Sequence, residues 1–467
     1  MPTDTLRVAV AGAGAAGTLA AARLLDTAAR TGRRTVVDLV DPAPHTGRGL
    51  AYGTDDPRHL LNVPAGRMSA RPDAAGDFVR WLSARTGHEA DPGAYVPRAL
   101  FGDYLAADLD RSAAAARDAA TVRRHHDRVL AVEQLPDGVR LRLRTGATLD
   151  ADAVILALGN LEPATAWLPP GLARSPRFVA DPWRPGALAD IPADQDVLLV
   201  GTGLTMCDTA RTLAAPGRTV HAVSRHGLLP QPHAAPGAAA APPARPGGRS
   251  PLTAPHDLTG LKRLVRHRAA LHRRLHGDWR PAVDELRPHI PLLWQQLPPS
   301  DRQRFLATEL REWEVHRHRL PPATDRALTA ARQSGLLTVR AAEVTGADTA
   351  DDGRTVTVRL SDGRSLTVGA VVNCTGTESR VGQLADPLVR GLLASGTAAP
   401  GPHGLGFDTA SDGRLLAAGG RPAAPVWTLG QLRRGNLWET TAIPEIRVQA
   451  GELATRILTR TPAPAPV

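Results

Sequence analysis

Two glycine clusters are the residues here whose type and spacing most directly imply chemistry. Gly12-x-Gly14-x-x-Gly17 follows the apolar run Leu6-Arg-Val-Ala-Val-Ala11, and Gly201-x-Gly203 follows Asp196-Val-Leu-Leu-Val200. Glycines at this spacing, between a strand and a helix, let the backbone approach a pyrophosphate closely. Its charge then meets the free amides and positive dipole of the helix N-terminus. Beyond the first cluster, Thr35-Val-Val-Asp-Leu-Val40 ends at Asp41, a carboxylate placed to bind ribose hydroxyls. One such fingerprint marks a nucleotide binder. Two in one chain suggest two redox cofactors and electron transfer from one to the other.

The second fingerprint departs from the pattern. Met206 stands where the third glycine would be, so the helix must sit slightly further from its strand. Thr219-Val-His-Ala-Val223 ends in Ser224-Arg225 rather than an acid. An arginine there suits a 2′-phosphate, which an acid would repel, and so favours NADPH over NADH. The alternative is a solvent-facing arginine in an arginine-rich chain. Other chemistries lack their residues. There is no G-x-S-x-G elbow and no HExxH. Cys207 and Cys374 are far apart, and neither His125-His126 nor His316 with His318 has metal-ligand spacing.

These residues need elements to position them. Leu6 through Asp41 reads as a βαβ unit with an Ala-rich helix. Residues 129–134 and 139–144 flank a Pro-Asp-Gly turn as a hairpin, and a buried strand at 153–158 then ends at Gly159. The same grammar recurs later, with a hairpin at 355–368 and a strand from Ala370 that runs into Gly376. Residues 230–255 read as an irregular loop rich in Pro, Ala and Gly, acting as connector or lid. From 257 to 335 apolar residues recur at helical spacing, with Trp279, Trp294 and Trp313 as packing anchors. The expected fold is α/β: two Rossmann-like dinucleotide-binding domains with a helical insertion. The expected domains are 1–165 (first nucleotide-binding domain, first part), 166–345 (NADPH-binding, with the insertion) and 346–467 (first nucleotide-binding domain, second part).

Composition narrows the partners. The chain has 467 residues, enough for two or three domains, with 42% apolar and 22% charged residues. Its net charge of +10 comes from arginines that are scattered rather than gathered in a stripe, and only 3% of residues are aromatic. That argues against nucleic acid and for an acidic small substrate or a phosphorylated cofactor. The separated cysteines read as reduced thiols of a cytoplasmic protein. No uncharged apolar span is long enough to cross a membrane.

Three stretches carry a family resemblance. They are Gly47-Arg-Gly-Leu-Ala-Tyr-Gly-Thr-Asp-Asp-Pro-Arg-His-Leu-Leu-Asn-Val-Pro64, Gly201-Thr-Gly-Leu-Thr-Met-Cys-Asp208 and Gly435-Asn-Leu-Trp-Glu-Thr-Thr-Ala-Ile-Pro-Glu-Ile-Arg447. In their order the chain resembles bacterial FAD/NAD(P)-binding flavoproteins with two dinucleotide-binding domains, of the class B monooxygenase-like group. It is similar, too, to biosynthetic flavoproteins that N-hydroxylate small amino acids, including aspartate to nitrosuccinate.

The resemblance implies that Gly12, Gly14, Gly17 and Asp41 hold FAD, and that Arg48, Leu61 and Asn62 line the flavin. Asn62 is the catalytic candidate, bonding a flavin edge or the substrate; otherwise it caps a turn. Gly159 and Gly376 would be strand-end glycines beside the cofactors, and Gly430 would lie by the flavin ring. Gly201, Gly203, Thr205 and Arg225 would hold NADPH. Arg67, Arg98, Arg433 and Arg434 are candidate clamps for a dicarboxylic amino acid, since each guanidinium fork can grip a carboxylate.

The chain lacks the FxGxxxHxxxW fingerprint of Baeyer–Villiger enzymes, which Arg177-Phe-Val-Ala-Asp-Pro-Trp183 resembles only distantly. That favours heteroatom hydroxylation over ketone oxygenation. The expected function is an FAD- and NADPH-dependent monooxygenase that uses O2 to N-hydroxylate a small amino acid or amine, with self-association left open. A plain NAD(P)H-dependent flavin reductase and a non-catalytic flavin-binding accessory protein are the alternatives.

Overall fold

The computed structural model describes residues 5–234 and 256–459. The loop expected at 230–255 lies largely outside these residues. The chain divides into two compact units. The first comprises Met1–Asp55, Val63–Leu161 and Ser379–Val467, and the second Asp56–Asn62 and Glu162–Glu378.

The first unit is built on a six-stranded sheet in the order Arg414–Leu416, Pro422–Thr428, Ala153–Leu156, Leu6–Ala11, Thr35–Val40 and Ala120–His125. All neighbours are parallel except the edge strand Arg414–Leu416. Strands buried on both faces need apolar runs rather than alternation. Ala153–Leu156 and the last four residues of Leu6–Ala11 are buried throughout. The helix Ala15–Thr31 lies against the helices Arg98–Ala116 and Ile443–Thr459. Its small residues Gly17, Ala20, Ala21 and Ala28 are buried and permit close approach. Gly32, at φ 69°, closes its C-terminus in the left-handed conformation open to glycine.

The second unit repeats the plan. Its parallel sheet runs Leu337–Ala341, Val220–Ser224, Val197–Val200, Ala370–Asn373 and Phe178–Val179. Each unit adds a three-stranded antiparallel sheet: Val129–Leu135, Gly138–Leu143 and Thr148–Ala151 in the first, Val344–Thr349, Val356–Leu360 and Ser365–Val368 in the second. The helical insertion occupies the crossover between Val220–Ser224 and Leu337–Ala341, which are adjacent strands. Among its helices are Leu258–His276, Leu310–Arg317 and Pro322–Gln333.

Two segments fall elsewhere than the sequence suggested. Residues 346–378, read as the return to the first domain, lie in the second unit. The reason is pairing: Ala370–Asn373 hydrogen-bonds alongside Val197–Val200. The short segment Asp56–Asn62 also belongs to the second unit.

Candidate functional site: two glycine turns

In the first unit, Gly12 leaves its strand at φ +104°, and a Cβ there would lie 2.4 Å from the Ala157 carbonyl oxygen. Gly17 is tighter still, with a Cβ position 1.8 Å from the Gly12 carbonyl oxygen. These two glycines are required by the fold. Gly14 is different. It caps the helix Ala15–Thr31 at φ −67°, and an added Cβ would meet nothing closer than the Gly49 Cα at 3.5 Å. No side chain caps this helix start, so its first amides are not taken by one. Gly14 is thus an open cradle at a helix N-terminus, which fits the approach of a pyrophosphate.

The turn is braced by its surroundings. The Ala13 carbonyl accepts from the Gly47 amide at 2.9 Å and from the Thr18 hydroxyl at 3.0 Å. Asp41 stands at the strand end as expected. Its Oδ2 accepts from the Ala13 amide at 2.6 Å and its Oδ1 from the Ala43 amide at 2.8 Å. Arg48 lies beside the turn, but its guanidinium is paired with Asp103 at 2.9 Å and Asp55 at 3.2 Å. The adjoining strand ends at Leu156, short of the expected 158, and Gly159 follows three residues later at φ +61° with open space around its Cβ position.

The second unit reproduces this geometry. Gly201 has φ +105°, with a Cβ position 2.4 Å from the Cys374 carbonyl oxygen. Gly203 caps the helix Leu204–Leu213, again without a side-chain cap, and Thr205 lies in the first turn. Met206 is fully buried, in the same apolar cluster as Val197 and Leu199. Gly376, at φ +90°, is open in the same way as Gly159.

Beyond the second strand, Ser224 and Thr202 share a hydrogen bond of 2.8 Å between their hydroxyls, and Arg225 is exposed. The two cysteines are buried in the same cluster. Burial pushes Cys374 up to about 12 and also raises Cys207, so neither is a reactive thiolate.

Three features escaped the sequence reading. Arg311, from the insertion helix Leu310–Arg317, reaches the second glycine turn. Its Nη2 donates to the Thr202 carbonyl at 2.9 Å, the Thr202 hydroxyl at 3.3 Å and the Leu228 carbonyl at 2.8 Å. Burial draws its pKa below the ordinary value, with nearby Glu314 opposing. A π-helical turn over Phe305–Glu309 precedes this helix and shifts its phase.

Secondly, Asp56–Asn62 is stitched to the helix Leu204–Leu213. Arg58 and Arg211 each donate to the other's carbonyl, and Thr212 donates to Asp56 at 2.8 Å. His59 Nε2 lies 3.0 Å from the Thr212 hydroxyl and 3.3 Å from the Asp208 carbonyl, an acceptor that places the proton on Nε2. In the same segment Leu61 is buried, and the Asn62 carbonyl accepts from His233 at 2.9 Å.

Thirdly, Trp438 has φ 61° and ψ −70°, strained backbone for a bulky residue, with the Arg434 guanidinium 4.4 Å over its ring. Gly430, at φ +71°, receives a bond from the Thr440 hydroxyl.

The four arginines chosen as carboxylate clamps differ in what they do. Arg433 is buried, and its guanidinium donates to the Ser411 carbonyl at 2.9 Å and the Ala410 carbonyl at 3.4 Å. Arg434 reaches the Ser379 hydroxyl at 3.4 Å. Arg98 opens the helix Arg98–Ala116 near the partly buried Tyr52, and Arg67 is exposed at the end of the short turn Ala65–Arg67.

Known proteins share this architecture. Residues 9–161 match a family model described as FAD-NAD(P)-binding. Over 250 residues the chain is 29% identical to the nitrosuccinate-forming L-aspartate N-monooxygenase of Streptomyces davaonensis. That match takes in 44% of this chain and 38% of the relative's length. Among solved structures, L-lysine 6-monooxygenase from Pseudomonas syringae superposes with a TM-score of 0.64 at 17% identity, covering 97% of this chain and 99% of that one. Ornithine hydroxylase from Pseudomonas aeruginosa, in its reduced form, gives 0.61 at 16%, covering 97% and 98%. The ornithine N-hydroxylase of Kutzneria sp. 744, solved with reduced FAD, NADP+ and L-ornithine, gives 0.62 at 15%, covering 97% and 98%. The fold is therefore that of the flavoproteins with two dinucleotide-binding domains. Among the described residues no helix is long and apolar enough to cross a membrane, and no cluster of His, Cys, Asp and Glu could hold a metal ion.

Proposed function

We propose that this chain is an FAD- and NADPH-dependent monooxygenase that N-hydroxylates a small amino acid or amine. The observation that carries the reading is the pair of open glycine cradles, Gly14 and Gly203, each at an uncapped helix start behind a parallel strand. The sequence similarity to L-aspartate N-monooxygenase supports the oxygenase chemistry and an aspartate-like substrate.

In this reading the first turn binds FAD. The helix amides after Gly14 take the pyrophosphate, and Asp41 orients the adenosine ribose through its carboxylate. The second turn binds NADPH: the helix amides after Gly203 take the pyrophosphate, and the exposed Arg225 the 2′-phosphate. Together the bound cofactors supply hydride transfer and activation of O2. Among the protein's own groups, Arg434, Arg67 and Arg98 are kept as candidate carboxylate clamps, whereas Arg433 is committed to backbone carbonyls. Asn62 is retained as the candidate that orients the reacting edge.

The test is oxygen consumption by FAD-loaded protein with NADPH across a panel of amino acids and diamines, with products read by mass spectrometry. A product one oxygen heavier than its amine supports the reading. NADPH consumption that ignores every amine and yields only hydrogen peroxide points to a flavin reductase.

A further inference from the structure

The same carbonyl is held by different means in the two glycine turns. In the first, the residue between the glycines is Ala13, whose carbonyl accepts only neutral donors, the Gly47 amide and the Thr18 hydroxyl. In the second, the residue is Thr202, and its carbonyl accepts from the Arg311 guanidinium at 2.9 Å. Arg311 comes from the helical insertion, 109 residues further along the chain.

Its Nη2 is spent on Thr202 and Leu228, but its Nη1 is turned elsewhere. The nearest atom to a Cβ built on Gly203 is Arg311 Nη1, at 3.9 Å, and the Glu314 carboxylate lies 3.8 Å from Nη1. A cation therefore flanks the cradle itself. At Gly14 the corresponding neighbour is the Gly49 backbone.

The arrangement also addresses the missing third glycine. With Met206 buried behind the turn, the helix start cannot settle as closely as Gly17 allows in the first unit. A guanidinium beside the turn adds a charged donor where the amides alone approach less closely.

We propose that Arg311 is a pyrophosphate-binding residue of the second nucleotide site, so that the helical insertion supplies part of that site. Its role is distinct from that of Arg225, which faces the 2′-phosphate. The assignment rests on the nucleotide-binding reading of the second unit and adds to it a residue from outside the glycine motif.

Two fragments of the cofactor separate these roles. ADP-ribose carries the pyrophosphate without a 2′-phosphate, and adenosine 2′-monophosphate carries the reverse. Binding of each to the FAD-loaded protein is measured by calorimetry in wild type, Arg311→Met and Arg225→Ala. Losing one charge-assisted hydrogen bond to a phosphate weakens binding roughly 10- to 100-fold.

Arg311→Met is expected to weaken ADP-ribose by that factor and to change adenosine 2′-monophosphate by less than about twofold. Arg225→Ala is expected to do the opposite. Arg311→Lys keeps the charge and is expected to recover part of the ADP-ribose affinity; it also serves if the methionine variant does not fold. Equal losses on both fragments in the Arg311 variants would make the residue a scaffold and overturn the proposal, as would unchanged ADP-ribose affinity. If wild type binds neither fragment, the nucleotide site itself is refuted.

Discussion

Alanine at Gly14 and alanine at Gly12 should separate cofactor binding from folding. At Gly14 the backbone suits any residue, and the new methyl would sit 3.5 Å from the Gly49 Cα, an ordinary contact. Stability of the apoprotein should therefore change by no more than about 0.5 kcal/mol. The methyl nonetheless fills the cradle at the helix start. Overfilling a close contact costs about 1–3 kcal/mol, so FAD affinity should fall roughly 5- to 150-fold.

At Gly12 the perturbation falls on the protein instead. The left-handed backbone at φ +104° costs a non-glycine residue roughly 1–2 kcal/mol. The new Cβ would overlap the Ala157 carbonyl oxygen at 2.4 Å, and relieving this disturbs the 2.8 Å bonds Gly12 N–Val40 O and Ala157 N–Ala11 O. The sum is about 3 kcal/mol of destabilisation. Urea unfolding of the apoproteins measures stability free of ligand effects, and flavin fluorescence titration measures affinity. Wild-type FAD affinity in Gly14→Ala would refute the first turn as the pyrophosphate site. A Gly14→Ala apoprotein as unstable as Gly12→Ala would refute the description of Gly14 as an open cradle.

Arg225→Ala should raise the KM for NADPH roughly tenfold while leaving that for NADH nearly unchanged; equal effects would show that Arg225 does not read the 2′-phosphate. Burial resists ionisation of Asp56, but hydrogen bonds from Arg58 and Thr212 outweigh it and hold the carboxyl well below its ordinary range. Its contribution to stability is thus present above the unfolded pKa of about 3.9 and lost as pH falls toward the folded value. The urea midpoint of wild type should drop faster than that of Asp56→Asn below about pH 5, and parallel acid limbs would contradict the ion pair's role. Because burial raises both thiols, Cys207 and Cys374 should resist a thiol-specific disulfide reagent at about pH 8 in the native protein and react on unfolding. Rapid native reaction of either would show that the core around them opens.

What could be read from the sequence was local. A parallel strand buried on both faces must be a short apolar run, and the chain must turn sharply where a glycine adopts positive φ. Leu6–Ala11 with Gly12 and Val197–Val200 with Gly201 were legible for that reason. The positions of Asp41 and Arg225, each just past a strand, followed because a strand end is defined by the residue after its apolar run.

What escaped was set by contacts between distant segments. Arg311 sits in a helix whose other charged or titratable residues are Glu312, Glu314, His316 and Arg317, and nothing in its own stretch distinguishes it from a solvated face. The anchoring of residues 59–62 was hidden for the same reason. Their anchors, Thr212 and Asp208, lie about 150 positions away, with His59 and Thr212 separated by 153. The hairpin after Val344 has the same pattern as the one after Val129, and each forms a three-stranded sheet of its own, so only the pairing of the following strand, Ala370–Asn373, with Val197–Val200 reveals its unit. The pair Gly47 and Gly49, both at positive φ beside the first turn, offered a signal that spacing alone could have supplied.

The most direct test of the account is the coupling of NADPH oxidation to N-hydroxylation. FAD-loaded protein is supplied with NADPH, O2 and aspartate, then with other small amino acids and diamines, while oxygen uptake, hydrogen peroxide and product mass are followed together. The account predicts that one amine raises oxygen uptake, suppresses peroxide release and leaves as its N-hydroxylated product. Uptake indifferent to every amine, with all reducing equivalents recovered as hydrogen peroxide, would contradict it.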